Sequence, residues 1–321
     1  MKNSTIADEK TEPLGMLGIL KDALRLPLKN KNLMLFVTVS SILPLSLLLL
    51  SHQLLLRPLL VDLLIHMTLL SGERKNSKEA LETMTQIRKD VKLILAFEVA
   101  YLLVVSIAAL FALATTVYTA ATAYAGKHLT KKQLLSRVFA TWKRPLLTWV
   151  FIFLLCLSYF ILLMICFGVL SLFVPSKAMA GFSIAFIFMG LGGLIYLVTV
   201  WALAMVVSIV EDNCYGVEAL EKAIALIKGR RVQGFFLSLV LVVLEGVMSS
   251  LLRVAEKGRG KMSGEIEVGV VLIIGSCLVK LYADMVYTVF YFECKKRHGE
   301  KVKIEEAGNT LLPLLNVNTA S

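Results

Sequence analysis

The chain has 321 residues, of which 57% are hydrophobic and 18% are charged, and its mean hydropathy is +0.77. Soluble domains hold about 45–50% apolar and about 25% charged residues, and the excess here lies in runs longer than the roughly 20 residues that a bilayer span needs. This composition excludes a soluble globular protein and predicts an all-α, polytopic membrane helical bundle. The formal net charge of +11 predicts contact with anionic lipids of the bilayer, and no motif for nucleic-acid binding is present.

Six apolar runs predict six membrane spans, at residues 33–56, 93–125, 146–174, 178–210, 232–252 and 268–292. The second run is about 50 Å long as a helix at 1.5 Å per residue, so we expect it to tilt, break or project from a hydrocarbon core of about 30 Å. Residues 57–92 are expected to form a surface segment and then a charged loop. Residues 1–12 are predicted to be a disordered tail, 13–296 the membrane domain and 297–321 a cytosolic tail.

Three amphipathic helices are predicted between the spans, at residues 13–28, 127–143 and 216–228. Thr11 is a cap for the first, Thr130 with Gln133 fits a capping box for the second, and Gly229 suits the C-terminal end of the third. The order of amphipathic helix, basic stop, span, loop and span recurs three times. The sequence therefore predicts three hairpin repeats, each preceded by a helix on the membrane surface.

Each of these helices has apolar residues at helical spacing, which predicts one apolar face. The predicted faces hold Leu14, Leu17, Leu24 and Leu28 in the first helix, Leu134, Leu135, Val138, Phe139 and Trp142 in the second, and Val217, Leu220, Ile224 and Ile227 in the third.

The distribution of basic residues predicts the orientation in the membrane. The side that carries the surface helices and both termini holds 21 of the 34 Lys and Arg residues, which places it in the cytosol under the positive-inside rule. The pattern does not choose between the plasma membrane and an endomembrane. Basic residues expected at the membrane surface are Lys131, Lys132, Arg137, Lys143, Arg144, Arg230 and Arg231.

Ionisable residues within spans are candidates for function because they are costly there. The candidates are Glu98, Glu245, Lys280 and Asp284. Glu245 is the best candidate for a buried carboxylate, whereas Glu98 is close enough to the end of its span to reach the surface. Lys280 and Asp284 are four residues apart and can neutralise each other on one helix face. Gly190, Gly192 and Gly193 are interpreted as positions of close packing or a hinge.

The sequence predicts no enzyme activity, metal site or cofactor. The four histidines are scattered without metal-ligand spacing, the five cysteines include no C-x-x-C pair, and no hydrolase or metalloprotease motif occurs. Cys214 and Cys294 lie at membrane edges, where they are either free thiols or sites of palmitoylation.

Two stretches carry a family resemblance. Residues 210–230 resemble the interhelical segment of the membrane domain attached to some bacterial glycerophosphodiester phosphodiesterases and of related stand-alone membrane proteins, and residues 287–300 resemble the closing motif of that group. Over nearly its whole length the chain is also similar to a family of plant multi-pass membrane proteins with no assigned activity. The resemblance implies six helices with interleaved surface helices and supplies no catalytic residues, because the soluble hydrolase domain is not in this sequence.

Two functions fit these features. The first is a non-enzymatic membrane protein that moves or shelters a lipid or small solute, which the long spans, the glycines and Glu245 favour. The second is a scaffold that organises partner membrane proteins through its basic amphipathic helices, because such helices bind anionic lipid or partner helices.

Overall fold

The computed structural model describes residues 14–71, 77–126, 129–257 and 265–297, and these are helical apart from short connections, with no strand among them. The all-α prediction is confirmed for this part of the chain. The helices are α1 Met16–Lys29, α2 Lys31–Ser71, α3 Ser77–Tyr124, α4 Lys131–Thr141, α5 Lys143–Ser171, α6 Met179–Val210, α7 Val217–Ile227, α8 Arg231–Lys257 and α9 Glu265–Arg297. The predicted tail 1–12 and nearly all of the predicted tail 297–321 lie outside the described residues.

Five helical segments of the described chain have the length and composition of membrane spans: Leu81–Tyr124, Lys143–Ser171, Met179–Val210, Arg231–Leu251 and Val271–Arg297. They correspond to the second to sixth predicted spans. The first predicted span, 33–56, lies within α2 and is not among the five. Helix α2 instead contains two shorter apolar stretches, Lys31–Leu45 and Pro58–Thr68.

The charged loop expected at residues 71–92, whose composition is that of a helix, is helical from Ser77 onward. Helix α2 continues through Pro44 and Pro58 to Ser71, and α3 begins at Ser77 and runs for 48 residues without a break. Residues 77–92 contain neither Gly nor Pro and are rich in Lys, Glu, Ala, Met and Leu, which are strong helix formers. Helix propensity therefore outweighs the polar character on which the loop prediction depended.

The ends of the three short helices match the predictions in part. Helix α4 has the predicted capping box, in which the Thr130 hydroxyl accepts the Gln133 N–H and the Gln133 side chain accepts the Thr130 N–H. Gly229 follows α7 with a φ of +94°, a conformation that favours glycine after a helix. Helix α1 starts later than predicted, with Gly15 in place of Thr11 at its N-cap.

The chain divides into two compact units. The first comprises residues up to 34, residues 116–243 and residues from 282 onward. The second comprises residues 35–115 and 244–281. In the first unit, every residue of α9 from 285 to 294 is buried. A helix that is buried on all sides is the core of its unit, and the other helices of this unit pack around it.

A chain of hydroxyl groups joins α6, α8 and α9 inside the first unit. The Thr199 hydroxyl lies 2.6 Å from that of Ser238, which lies 2.9 Å from the Tyr287 hydroxyl. Gly234 allows this close approach, since a Cβ there would lie 2.9 Å from the Thr199 methyl group and 3.2 Å from the Phe290 ring. Buried hydroxyl groups that satisfy one another define how three helices pack.

We expect Gly234→Ala to destabilise the protein, because overpacking a tight helix contact costs about 1–3 kcal/mol. Gly246→Ala is the matched control on the same helix, since a Cβ at Gly246 meets nothing within 4 Å. Thermal unfolding in detergent should show a lower Tm for the first variant and an unchanged or higher Tm for the second. Equal Tm values for the two variants would contradict the contact.

Candidate functional site

The predicted ionisable residues are not gathered in one buried site. Glu245 was expected to be buried, and this is wrong: it is exposed on α8, together with the whole stretch 242–247. Lys280 is exposed and Asp284 is half-buried on α9. Glu98 has a partner on another helix.

Glu98 pairs with His52 of α2. The His52 Nε2 lies 3.1 Å from the Glu98 carboxylate, and the two side chains are half-buried. The His52 ring stacks on Tyr101 with a centroid distance of 4.0 Å. A second pair, His66 with Asp90 at 2.7 Å, joins the same two helices. Both pairs lie in the second unit and tie α2 to α3.

Two carboxylates, Glu211 and Glu293, lie near the end of α9. We call these two carboxylates and their hydrogen-bond donors the α9 end cluster. The first carboxylate is that of Glu211. It follows the last residue of α6 and its side chain is only 12% exposed. Its carboxylate accepts hydrogen bonds from Lys222 of α7 at 2.6 Å and from Tyr291 and Lys295 of α9 at 2.5 and 3.0 Å. Burial raises the pKa of Glu211, but these three donors outweigh it and hold the pKa below its ordinary value.

Glu293 is the second carboxylate of the α9 end cluster and is 1% exposed. It accepts hydrogen bonds from the Tyr124 hydroxyl at the end of α3 at 3.0 Å and from Lys296 at 2.8 Å. It also accepts the Leu14 N–H before α1 at 3.0 Å. A buried carboxylate needs such a full set of donors, so Glu293 fixes the positions of three chain segments.

Further contacts close this end of the first unit. The Leu14 carbonyl accepts hydrogen bonds from Arg230 and Gln233 at 3.3 and 3.1 Å. Arg297 donates to the Gly229 carbonyl at 2.6 Å. The ends of α1, α3, α6, α7, α8 and α9 are thus linked by side chains.

The basic residues predicted for the membrane surface have different environments. Lys131, Lys132, Lys143 and Arg231 are exposed and Arg137 is half-buried. Arg144 binds Asp212 at 2.6 Å. Arg230 is buried and donates to Leu14, so it acts within the protein.

The two cysteines at the membrane edges also differ. Cys294 is fully buried, so its sulfur is not accessible for acylation in this fold. Cys214 is half-buried, and burial together with the nearby Glu211 raises the pKa of its thiol. A raised pKa reduces the fraction of thiolate, which is the reactive form.

A groove between α5 and α6 in the first unit has the character of a ligand site. Its volume is about 300 Å³, which is at the lower end of the roughly 300–1,000 Å³ range of ligand pockets. Its walls are apolar and aromatic, and they include Tyr159, Leu163, Phe167, Phe186, Gly190 and Leu194.

Gly190 and Gly193 shape the groove wall. The Tyr159 hydroxyl donates to the Gly190 carbonyl at 2.7 Å. A Cβ at Gly193 would lie 2.6 Å from the same hydroxyl, whereas a Cβ at Gly192 would meet nothing within 4 Å. This favours the packing interpretation for two of the three glycines.

The sequence prediction missed Glu211, Glu293, Tyr291 and Tyr159. Glu211 and Glu293 each follow directly on an apolar run, and both lie in the two stretches that carry the family resemblance. Basic residues usually follow an apolar run, so an acidic residue in that position is the signal that would have identified these two.

Five helices with the length and composition of spans are compatible with an integral membrane protein, and the α9 end cluster and the groove belong to its helical bundle. The chain belongs to a family described as a domain of unknown function (DUF8558), which matches residues 5–312. No curated protein and no solved structure matches the chain.

We expect Glu211→Gln to lower the free energy of unfolding by about 2 kcal/mol at pH 7, the range for hydrogen bonds to a charged group. Because the folded pKa of Glu211 lies below the ordinary value of 4.5, its contribution is full above that value and is lost as the pH falls through the folded pKa. The difference in Tm between wild type and variant should therefore shrink in acid.

Glu221→Gln is the matched control for this prediction, because Glu221 is exposed on α7 beside Lys222. It should leave the Tm unchanged at every pH. A Tm difference between Glu211→Gln and wild type that stays constant from pH 7 to pH 3 would contradict the role of the Glu211 charge.

Proposed function

We propose that the protein is a non-enzymatic integral membrane protein that shelters a lipid by holding one of its hydrocarbon chains in the α5–α6 groove. The observation that carries this proposal is an apolar groove of about 300 Å³ between two helices that have the composition of membrane spans. A hydrocarbon chain of a bilayer lipid is apolar, as the walls of the groove are, and can therefore occupy it.

The hydrogen bonds inside the groove favour a hydrocarbon chain over a polar solute. The Tyr159 hydroxyl donates to Gly190, and the Ser183 hydroxyl donates to the Met179 carbonyl at 2.9 Å. Both hydroxyl groups of the lining are therefore satisfied by the protein itself. A polar solute would bury groups without partners there, and such burial is unfavourable.

The position of the groove favours entry from the side. Met164 and Ile187 border it, and their exposed fractions are 72% and 59%. Because both residues lie on helices with the character of spans, their exposed side chains face lipid when the helices cross a bilayer. A hydrocarbon chain then enters from the bilayer without passing through water.

The proposal includes six spans in three hairpin repeats, with both termini in the cytosol. The two apolar stretches of α2 support a span in that helix in addition to the five longer ones. The excess of Lys and Arg on the side of the termini supports the orientation.

A membrane scaffold is the second candidate function. The observation that favours it is the exposure of apolar side chains on and beside the short helices, including Phe139 on α4 and Trp142 directly after it. These side chains have the size and shape to contact a partner helix. A scaffold does not need the groove, so variants of the groove separate the two functions.

We expect Gly193→Ala to reduce the amount of lipid that co-purifies with the protein. The new methyl group displaces Tyr159 in the groove wall and so disturbs the lipid site, where a loss of about 1 kcal/mol of binding free energy is about fivefold weaker binding. Native mass spectrometry of protein extracted gently from its membrane measures the bound lipid.

Gly192→Ala is the control, since it adds the same methyl group in open space and should retain the lipid. Equal lipid occupancy in both variants and wild type would contradict the groove as the lipid site. Protein that carries polypeptide partners and no lipid would favour the scaffold.

The orientation predicts which segments are accessible from the cytosolic side of the membrane. A tag at the C-terminus should be labelled when only the cytosolic side is exposed to the reagent. An epitope inserted after Pro175, in the turn between α5 and α6, should be labelled only from the opposite side. The reverse pattern would contradict the proposed topology.

A further inference from the structure

We propose that α1 and α4 lie in the membrane surface and that their exposed apolar faces, flanked by basic residues, bind the anionic headgroup layer of the adjoining leaflet. This surface is separate from the α5–α6 groove, so the inference goes beyond the proposed lipid shelter and does not rest on it.

Helix α4 has two apolar faces. One face packs within the first unit, where Leu134 and Val138 are buried. The other face carries Phe139 and Trp142, which are 65% and 50% exposed. The sequence pattern predicted a single apolar face that combines these residues, and the structure divides it into a protein-facing and an exposed part.

Helix α1 also has one buried and one exposed apolar face, and its exposed face is the one that the sequence predicted. Its buried residues are Ile19, Ala23 and Leu26, and its exposed apolar residues are Leu17, Leu24 and Leu28. The exposed leucines are seven and four residues apart, so they form one stripe along the helix. Lys21 is exposed beside this stripe, in the position from which a long side chain reaches the headgroups while its methylene groups lie along the apolar surface.

The chain itself places both faces at the depth of the headgroups. One residue, Trp142, separates α4 from α5, and one residue, Asn30, separates α1 from α2. Helix α5 has the composition of a span from its first residue, Lys143, and α2 begins with the apolar stretch Lys31–Leu45, which is a span in the proposed six-span topology. A helix attached to the end of a span by a single residue cannot leave the membrane surface, and tryptophan is enriched at this level of the bilayer.

The charges on the two helices indicate an anionic surface. Helix α4 contains Lys131, Lys132 and Arg137 and no acidic residue. Helix α1 contains Lys21, Arg25 and Lys29 against a single Asp22. Basic residues beside an apolar helix face are the pattern that binds anionic lipids.

Helix α7 provides a contrast within the same protein. It exposes Val217 and Ile224, but its sequence includes Glu218 and Glu221 against the single Lys222. Its exposed face therefore lacks the positive charge of α1 and α4, and we assign the preference for anionic lipid to those two helices alone.

The first test uses Trp142 as a reporter. The variant Trp149→Phe, Trp201→Phe leaves Trp142 as the single tryptophan, and the purified full-length protein is reconstituted into vesicles of phosphatidylcholine with brominated chains. Quenching of Trp142 fluorescence is expected. Unquenched emission at the wavelength of a water-exposed tryptophan would overturn the proposal.

The second test measures the preference for anionic lipid and keeps the native tryptophans. Protein is reconstituted in mixed phosphatidylserine and phosphatidylcholine, and the bound lipids are counted by native mass spectrometry. Lys132→Glu is compared with Lys177→Glu. The second variant makes the same charge change in the turn between α5 and α6, at the end of α5 that does not adjoin α4. Removal of one basic residue is about a fivefold effect, and the added carboxylate repels anionic lipid further. The phosphatidylserine preference should therefore fall by at least about fivefold in the first variant and stay unchanged in the second.

Equal phosphatidylserine preference in the two variants would overturn the proposal. So would isolation of the wild-type protein with a second polypeptide that protects Phe139 and Trp142 from chemical labelling, since a protein would then cover the face in place of lipid.

Discussion

The hydrogen bonds of two buried carboxylates at one end of α9 are the constraint on which the first unit depends. Glu211 and Glu293 are held by three donors each, and the donors come from α3, α7, α9 and the segment before α1. A carboxylate buried to this degree is stable only while its donors stay in place. The cluster therefore sets the positions of the helix ends, and with them the orientation of the short helices that connect the spans.

This constraint has a consequence for the rest of the bundle. Polar contacts are dense where α9 ends, whereas the α5–α6 groove is lined by apolar and aromatic side chains and its two hydroxyl groups are satisfied internally. Helices that are fixed by polar contacts at one end need not be tightly packed along their whole length. The groove between α5 and α6 is a place where the packing is open, and its apolar walls make a hydrocarbon chain the ligand that fits it best.

Local sequence patterns predicted the features that depend on neighbouring residues. The helical class, five of the spans, the Thr130 capping box and the glycine after α7 all follow from periodicity, length and capping chemistry within a few residues. Helix propensity explains why residues 77–92 are helical where a loop was expected. The splitting of the predicted apolar faces of α4 and α7 into buried and exposed parts could not be predicted, because periodicity alone does not show which apolar residues another helix covers.

The candidate site depended on contacts between distant parts of the chain. Glu211 and Tyr291 are 80 residues apart, and His52 and Glu98 are 46 apart. Nothing in a single sequence pairs such residues, and this is why Glu245, the most conspicuous acidic residue within a predicted span, was chosen instead. Tyr159 escaped notice for the same reason, since the groove exists only when α5 and α6 are side by side.

An experimental density map of the protein in lipid nanodiscs tests the central claim most directly. Elongated density between Tyr159 on α5 and Phe186 on α6, continuous with the surrounding bilayer, is the result expected for a protein that shelters a lipid chain. A map in which side chains of α5 and α6 close the groove, or in which the groove holds no density while neighbouring lipids are resolved, would contradict it.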